Sequence, residues 1–236
     1  MILLSKKYIL KIQSCKKAIR IFDVNRDHYI EKYKNINFKN SYISKIQTFL
    51  NLLNQDIEEE TKDFLNNRCD KLLHFKDHRS GYEYAIDLML GWLIEDAVLF
   101  YLKQFNIIAS ADGTDAQREF LKVGEISSDS DIKIFGGHHK NLEVFCDWQG
   151  TWSKWNHADF RDNKFKKMEK TNALILGISP TDQKGFLLDV SKDNIAFSFN
   201  SSIKGYGGKP GYTVSNIKHH LFPLKTIKEK LQLLRV

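Results

Sequence analysis

The amino-acid sequence predicts an α/β protein, with a mixed central sheet flanked by helices and a helical N-terminal region ahead of it. Three observations predict it. The first 80 residues contain neither Pro nor Gly, the residues that most often interrupt helices. Residues 81–105 then carry apolar side chains at helical spacing. From Asn106 onward, apolar runs of strand length alternate with turns, many of them Gly-bearing.

Each element has a local reason. In SYISKIQTFLNLL, Ile43, Ile46, Phe49, Leu50 and Leu53 recur at three- and four-residue steps, the period of an amphipathic helix. GYEYAIDLMLGWLIEDAVLFYLKQF predicts a helix over 81–105, whose most hydrophobic section is interrupted by Glu95 and Asp96. Strands follow in NIIAS, DIKIF, LEVFCDW, ALILGI, GFLLDV and NIAFSF. Between the third and fourth, HADFRDNKFKKMEKTN reads as a helix contacting the core through Phe160, Phe165 and Met168. The order is therefore helix, three strands, helix, strand, then further strands. The expected division is a helical region over 1–80 and an α/β core over 81–236.

Composition narrows the partners. Hydrophobic residues make up 42% of the chain and aromatic residues 12%, enough to bury a core. Lys and Arg number 36 against 29 Asp and Glu, a formal charge of +7, a mildly basic balance that favours a polyanion partner. Cys15, Cys69 and Cys146 are odd in number and widely spaced, so neither a disulfide framework nor a zinc pattern is expected, and the reading is a reducing, cytoplasmic setting. No apolar run is long enough to span a bilayer, and two lysines interrupt the short one at the start.

The chemistry concentrates between residues 128 and 152. DIKIF and LEVFCDWQ flank the glycine-bearing turn GGHHKN and are expected to pair as an antiparallel hairpin. Centring the turn near His138 sets Asp131 opposite Phe145 and Asp129 opposite Asp147. Because side chains alternate along strands, Asp129, Asp131, Asp147 and Gln149 then share one face. Carboxylates gathered without a basic partner repel one another unless a cation neutralises them. A hard divalent ion such as Mg²⁺ takes such oxygens together with waters and phosphate oxygens. The simpler reading is a polar strand end facing solvent.

An acid at the start of one strand, then three apolar residues, an acid, a spacer and a polar residue on the next, resembles the PD-(D/E)xK nuclease core, and most closely that of small type II restriction endonucleases. The resemblance covers roughly residues 81–180, with RDNKFKKMEKTNALILGI in the place of the family's next helix and strand. It implies a restriction-endonuclease-like fold, with Asp131 as the first metal-binding acid and Asp147 as the second, Asp129 being a rival for the first. Glu143 is a rival second acid, ranked lower because the residue two further on is Phe145. Gln149 stands where the family has its lysine; an amide orients water but does not take its proton. The resemblance further implies Mg²⁺ held by Asp131, Asp147 and the Trp148 carbonyl, with Glu95 supplementing the site from its helix.

The reaction so implied is hydrolysis of phosphodiester bonds in double-stranded DNA at a short, (pseudo)palindromic site, by a homodimer that has a cognate DNA methyltransferase as its genetic partner. Candidate DNA contacts lie in two basic segments. TWSKWNHADFRDNKFKKMEK offers Lys154, Asn156, His157, Arg161 and Lys164, with Asp159 among the residues able to reach base edges. The Gly-rich stretch NSSIKGYGGKPGYTVSNIKHH offers Lys204 and Lys209 in C-terminal DNA-contacting loops, or as a long hairpin connection; it lacks the spacing of a phosphate-binding Walker loop. Two other readings remain, a structure-selective repair or junction nuclease and a non-catalytic DNA-binding module that keeps the fold.

Overall fold

A computed structural model describes residues 6–22, 59–70, 73, 79–113, 116, 118, 120, 129–136, 140–190, 195–232 and 234. The chain forms two compact units, Met1–Ala97 and Val98–Val236, so the division falls inside the long helix and not ahead of Gly81. The helix expected over Ile43–Leu53 lies outside the described residues.

The first unit contains α1 (Lys6–Ile21), α2 (Glu59–Asp70) and most of α3 (Gly81–Gln104). Ser80 starts α3 with a capping box: its hydroxyl accepts the Glu83 N–H at 3.2 Å, and Glu83 accepts the Ser80 N–H at 3.1 Å. Asp87 on α3 is paired with Lys11 of α1 at 2.5 Å and with Arg79 at 2.9 Å. Lys11 is buried, so this pair joins α1 to α3 where an unpaired charge would be costly.

The second unit is a mixed α/β structure. After the end of α3 come β1 (Ala109–Ala111), β2 (Ile132–Ile134), β3 (Asn141–Cys146), α4 (Thr151–Trp155), β4 (His157–Arg161), α5 (Asp162–Lys170) and β5 (Leu174–Ser179). They are followed by β6 (Lys184–Asp189), β7 (Phe197–Ile203), β8 (Lys209–Ser215), β9 (Phe222–Pro223) and α6 (Ile227–Gln232). Short 3₁₀ turns occupy Lys204–Tyr206, Ile217–His220 and Leu224–Thr226. One sheet has the order β1-β2-β3-β5-β6-β9, and a second has the order β4-β8-β7. In the first sheet β3 and β5 run parallel while every other pair is antiparallel. The long helix, the three strands after it, and the later helix and strand α5 and β5 match the expected order, but α4 and β4 are inserted between β3 and α5.

One local expectation changes, and one pair of alternatives is decided. The stretch 157–172 is not one helix: its first five residues form β4, because Ala158 and Phe160 alternate with polar neighbours and bury one face, and the helix starts at Asp162. The Gly-rich stretch after Asn200 is a β-hairpin, β7 and β8, closed through Gly207 and Gly208 at positive φ.

The core of this unit lies between the two sheets and α5. Ile175, Phe186 and Leu188 of the first sheet meet Ala158, Phe160 and Val214 of the second, with Phe165 and Met168 of α5 and Trp152 of α4. Aromatic edges fill it: Trp152 packs on Phe186 at 4.7 Å between ring centroids, and Phe145 meets Phe160 edge-on at 4.9 Å. Gly177 in β5 lies directly under the Phe186 ring, where an added Cβ would overlap it. Gly177→Ala is therefore expected to destabilise the protein by about 1–3 kcal/mol through overpacking. Urea unfolding checks this, and an unchanged midpoint would show that the ring has room to move.

Candidate functional site

The hairpin register decides which acids meet. Ile132 pairs with Leu142 and Lys133 with Asn141, while the Ile134 N–H donates to the Lys140 carbonyl at 2.9 Å. The loop is thus centred one residue earlier than expected, where Gly136 turns the chain at φ 87°. One residue of shift in the centre moves each partner by two. Asp131 therefore stands opposite Glu143, not Phe145. The parity expected from alternation holds, but the partner is different.

Asp131, Glu143 and Lys164 form a cluster. Lys164, on the first turn of α5, places its Nζ 2.6 Å from Glu143 Oε1 and 3.6 Å from Asp131 Oδ1, and donates to the Asp129 carbonyl at 2.9 Å. Asp131 Oδ2 accepts the Val144 N–H at 2.7 Å, which locks that carboxylate across the two strands. The Glu143 side chain is only 4% exposed. Burial, and after it the neighbouring Asp131 charge, push its carboxyl well above the usual carboxylate range. Its Oε2 is buried and accepts no hydrogen bond. Asp129, the rival first acid, instead has its carboxylate paired with Lys167.

These residues test the expected Mg²⁺. The donor set is oxygen-only, it carries a buried carboxylate oxygen without a donor, and two acids face one ammonium. That fits a hard divalent ion, which is content with two carboxylates when waters and phosphate complete its shell. Asp131 and Glu143 would hold it. Among the described residues there is no group of three or more His, Cys, Asp or Glu side chains placed to bind a metal, so the pair would have to rely on such additional ligands.

Asp147 has another role. It is buried, its Oδ1 accepts the Gln149 N–H at 3.1 Å and its Oδ2 accepts the Trp152 N–H at 3.0 Å. It caps the turn leading into α4, the service a carboxylate performs at a helix start. Strand spacing of about 3.3 Å per residue puts it about 13 Å along β3 from Glu143. The Trp148 carbonyl accepts the Thr181 hydroxyl at 2.9 Å. Gln149 stands beside this cap, away from the acid cluster. Gly150, at φ 68° against the Asp182 carboxylate, makes the tight turn possible. Of the expected set Asp131, Asp147 and Trp148, the structure groups Asp131 with Glu143 and Lys164, while Asp147 accepts backbone N–H groups and the Trp148 carbonyl accepts the Thr181 hydroxyl. Glu95 is buried on α3 within the first unit, whereas this cluster is built from the second unit alone.

Beyond Asp147 the surface opens into a groove of about 1140 Å³ between α4, the second sheet and the turn at Lys204–Tyr206. Gln149, Trp155, His157, Asp159 and Lys204 are among its walls. Asn156 also lines it, but its side chain is tied to Asn216 at 3.1 Å and to the Lys218 N–H at 3.0 Å. The Lys154 ammonium sits over the Trp155 ring at 4.7 Å, and the Arg161 guanidinium over the Tyr206 ring at 5.4 Å. Lys209, at the start of β8, is exposed. Lys164, expected to contact DNA, is instead held by the acids.

No family model, no curated protein and no solved structure matches this chain. Among the described residues no helix is long and apolar enough to cross a membrane.

The raised Glu143 carboxyl sets a pH dependence. The folded protein holds this proton more tightly than the unfolded chain, so the stability it contributes is complete below the ordinary value of 4.5 and is lost as pH rises toward the folded value. In metal-free buffer, Glu143→Gln is expected to gain stability relative to wild type as pH rises from 4.5 toward neutrality. Parallel curves from urea titrations at stepped pH would refute it. Asp147→Ala is expected to cost about 1–2 kcal/mol as the loss of a cap, read from the same titrations.

Proposed function

We propose that the chain is a Mg²⁺-dependent phosphodiester hydrolase acting on double-stranded DNA, in the manner of a type II restriction endonuclease. The observation that carries this reading is the cluster of Asp131, Glu143 and Lys164, in which two acids from the hairpin and a lysine from α5 meet. The basic balance of the chain and the cations around the groove support a polyanionic substrate.

Asp131 and Glu143 would hold the cation through carboxylate oxygens, and the Val144 N–H fixes the Asp131 side chain. When bound, Mg²⁺ supplies Lewis-acid polarisation of the phosphate and lowers the pKa of water. Lys164 brings a fixed positive charge to the same point, where it would hold a phosphate oxygen or the attacking water and offset negative charge developing on the phosphoryl oxygens. Gln149 has no part in this step. Two copies, one per strand, would suit a two-fold symmetric site, and a cognate methyltransferase would protect the host sequence.

The test is incubation of supercoiled plasmid with Mg²⁺ and with EDTA. Discrete fragments are expected only with the metal. Asp131→Asn and Glu143→Gln are each expected to lower the cleavage rate by at least about 10²–10³-fold, while cleavage survives Asp147→Asn. Loss of activity on Asp147→Asn in a folded protein, with Glu143→Gln active, would restore Asp147 as the second acid. One observation favours a non-catalytic DNA-binding module instead: the Lys164 ammonium already neutralises Glu143 at 2.6 Å. Salt-sensitive DNA binding with no cleavage in either Mg²⁺ or Mn²⁺ would decide for that reading.

A further inference from the structure

The second sheet has two unlike faces. Strand alternation sends Ala158, Phe160 and Val214 into the core, with Phe197 and Tyr212 packed against them. The opposite face presents His157, Asp159, Thr213, Ser215, Asn200 and Ser202, and all six line the groove. A solvated polar face is ordinary for an antiparallel sheet. Here it is concave, since α4 and the turn at Lys204–Tyr206 rise on either side of it.

The surrounding charge selects a polyanion. Arg161 and Lys209 are exposed on β4 and β8, Lys154 on α4 and Lys204 on the turn. Over residues 195–236 the sequence has seven Lys or Arg residues against one acid, Glu229. Among the described residues two acids line the groove: Asp147, whose oxygens both accept backbone N–H groups, and Asp159. Its Oδ1 accepts the Thr213 hydroxyl at 2.7 Å, its Oδ2 stands 3.6 Å from His157 Nε2, and its carbonyl accepts the Tyr206 hydroxyl at 2.5 Å. The side chain is thus held in place on the groove floor. A carboxylate repels phosphate, so a surface serving only the DNA backbone gains nothing from it. An acceptor-only group suits an exocyclic amine, the N4 of cytosine or the N6 of adenine, on the major-groove edge. Asn200 adds the complementary chemistry: its Oδ1 accepts the Ser202 N–H at 3.0 Å, leaving the Nδ2 donors for a base acceptor. The β7–β8 hairpin carries this face on a two-stranded ribbon whose residues 198–202 are exposed, and such a ribbon fits the major groove.

We propose that the polar face of the β4–β8–β7 sheet is the sequence-reading surface of this protein, that its occupant is the major-groove edge of duplex DNA, and that Asp159 and Asn200 discriminate between bases. The proposal rests on the reading of the chain as a DNA-acting protein and assigns what that reading leaves open. Strand spacing puts the Asp131–Glu143–Lys164 cluster about 7–13 Å from the groove, measured along β3 from Glu143 to Phe145 and Asp147. That is two to four base-pair steps at about 3.4 Å each, so cleavage would fall within or beside the sequence that is read.

The experiment is selection from a randomised duplex library by the full wild-type chain in EDTA, where no cleavage intervenes, followed by sequencing. A short enriched motif is expected. Asp159→Asn is expected to change the preference at one base pair by about tenfold or more, and Asn200→Ala to relax another, while the salt dependence of binding stays near that of wild type. An unselective pool, a preference for single strands, or the same motif from both variants overturns the proposal. Should Asp159→Asn fail to fold, Asn200→Ala on the exposed strand decides alone. A motif selected without any cleavage in Mg²⁺ sinks only the hydrolase reading. Cleavage at a motif indifferent to both variants sinks only this one.

Discussion

Strands β3 and β5 lie side by side and run parallel, and parallel neighbours cannot be joined by a tight turn. The chain must leave the end of β3, cross one face of the sheet and return to the start of β5. Residues 147–173 make that crossing, and nearly everything of chemical interest rides on it. Asp147 caps its first turn, α4 and β4 build one wall and the floor of the groove, and α5 delivers Lys164 back to Glu143. The crossing holds because it is apolar beneath: Trp152, Phe160, Phe165 and Met168 are all buried against the first sheet. The polar groups are positioned as a consequence of that burial.

The buried Glu143 is a polar cost of the arrangement. A carboxylate nearly removed from water, beside a second carboxylate, is unfavourable unless something cationic reaches it. Lys164 reaches one oxygen and the other accepts no hydrogen bond. A chain selected only for stability would do better with an apolar residue at this position, since replacing a buried ion pair by hydrophobic packing is often neutral or stabilising. That imbalance is the physical content of the functional reading. Asp147 presents the opposite case: it is equally buried, but both of its oxygens accept backbone N–H groups, so its burial is accounted for by the fold itself.

Much of the fold was legible in local pattern. The order of helix, three strands, helix and strand followed from period and punctuation, and the polarity of the odd positions around 131 and 147 followed from alternation alone. The strand in HADFR was legible too, since Ala158 and Phe160 alternate with His157, Asp159 and Arg161, but the helical spacing of Phe165 and Met168 beyond it drew the whole stretch into one helix. Asp147 and Gln149 hold the two-residue spacing of the expected site, and in the fold Asp147 accepts the backbone N–H groups of Gln149 and Trp152 at the point where the chain leaves the sheet.

The sequence by itself determined the class of fold, the basic balance, and the set of side chains sharing the odd face of β3, because these depend only on residue type and the two-residue period of a strand. Only the tertiary structure decided which members of that set meet. The hairpin loop is centred one residue earlier than its glycines and histidines suggested, and that shift sets Asp131 against Glu143. The lysine that completes the cluster comes from α5, 21 residues beyond Glu143, with a cap, a helix and a strand between. No local spacing encodes such a contact; it exists because a parallel crossover folds α5 back over the sheet.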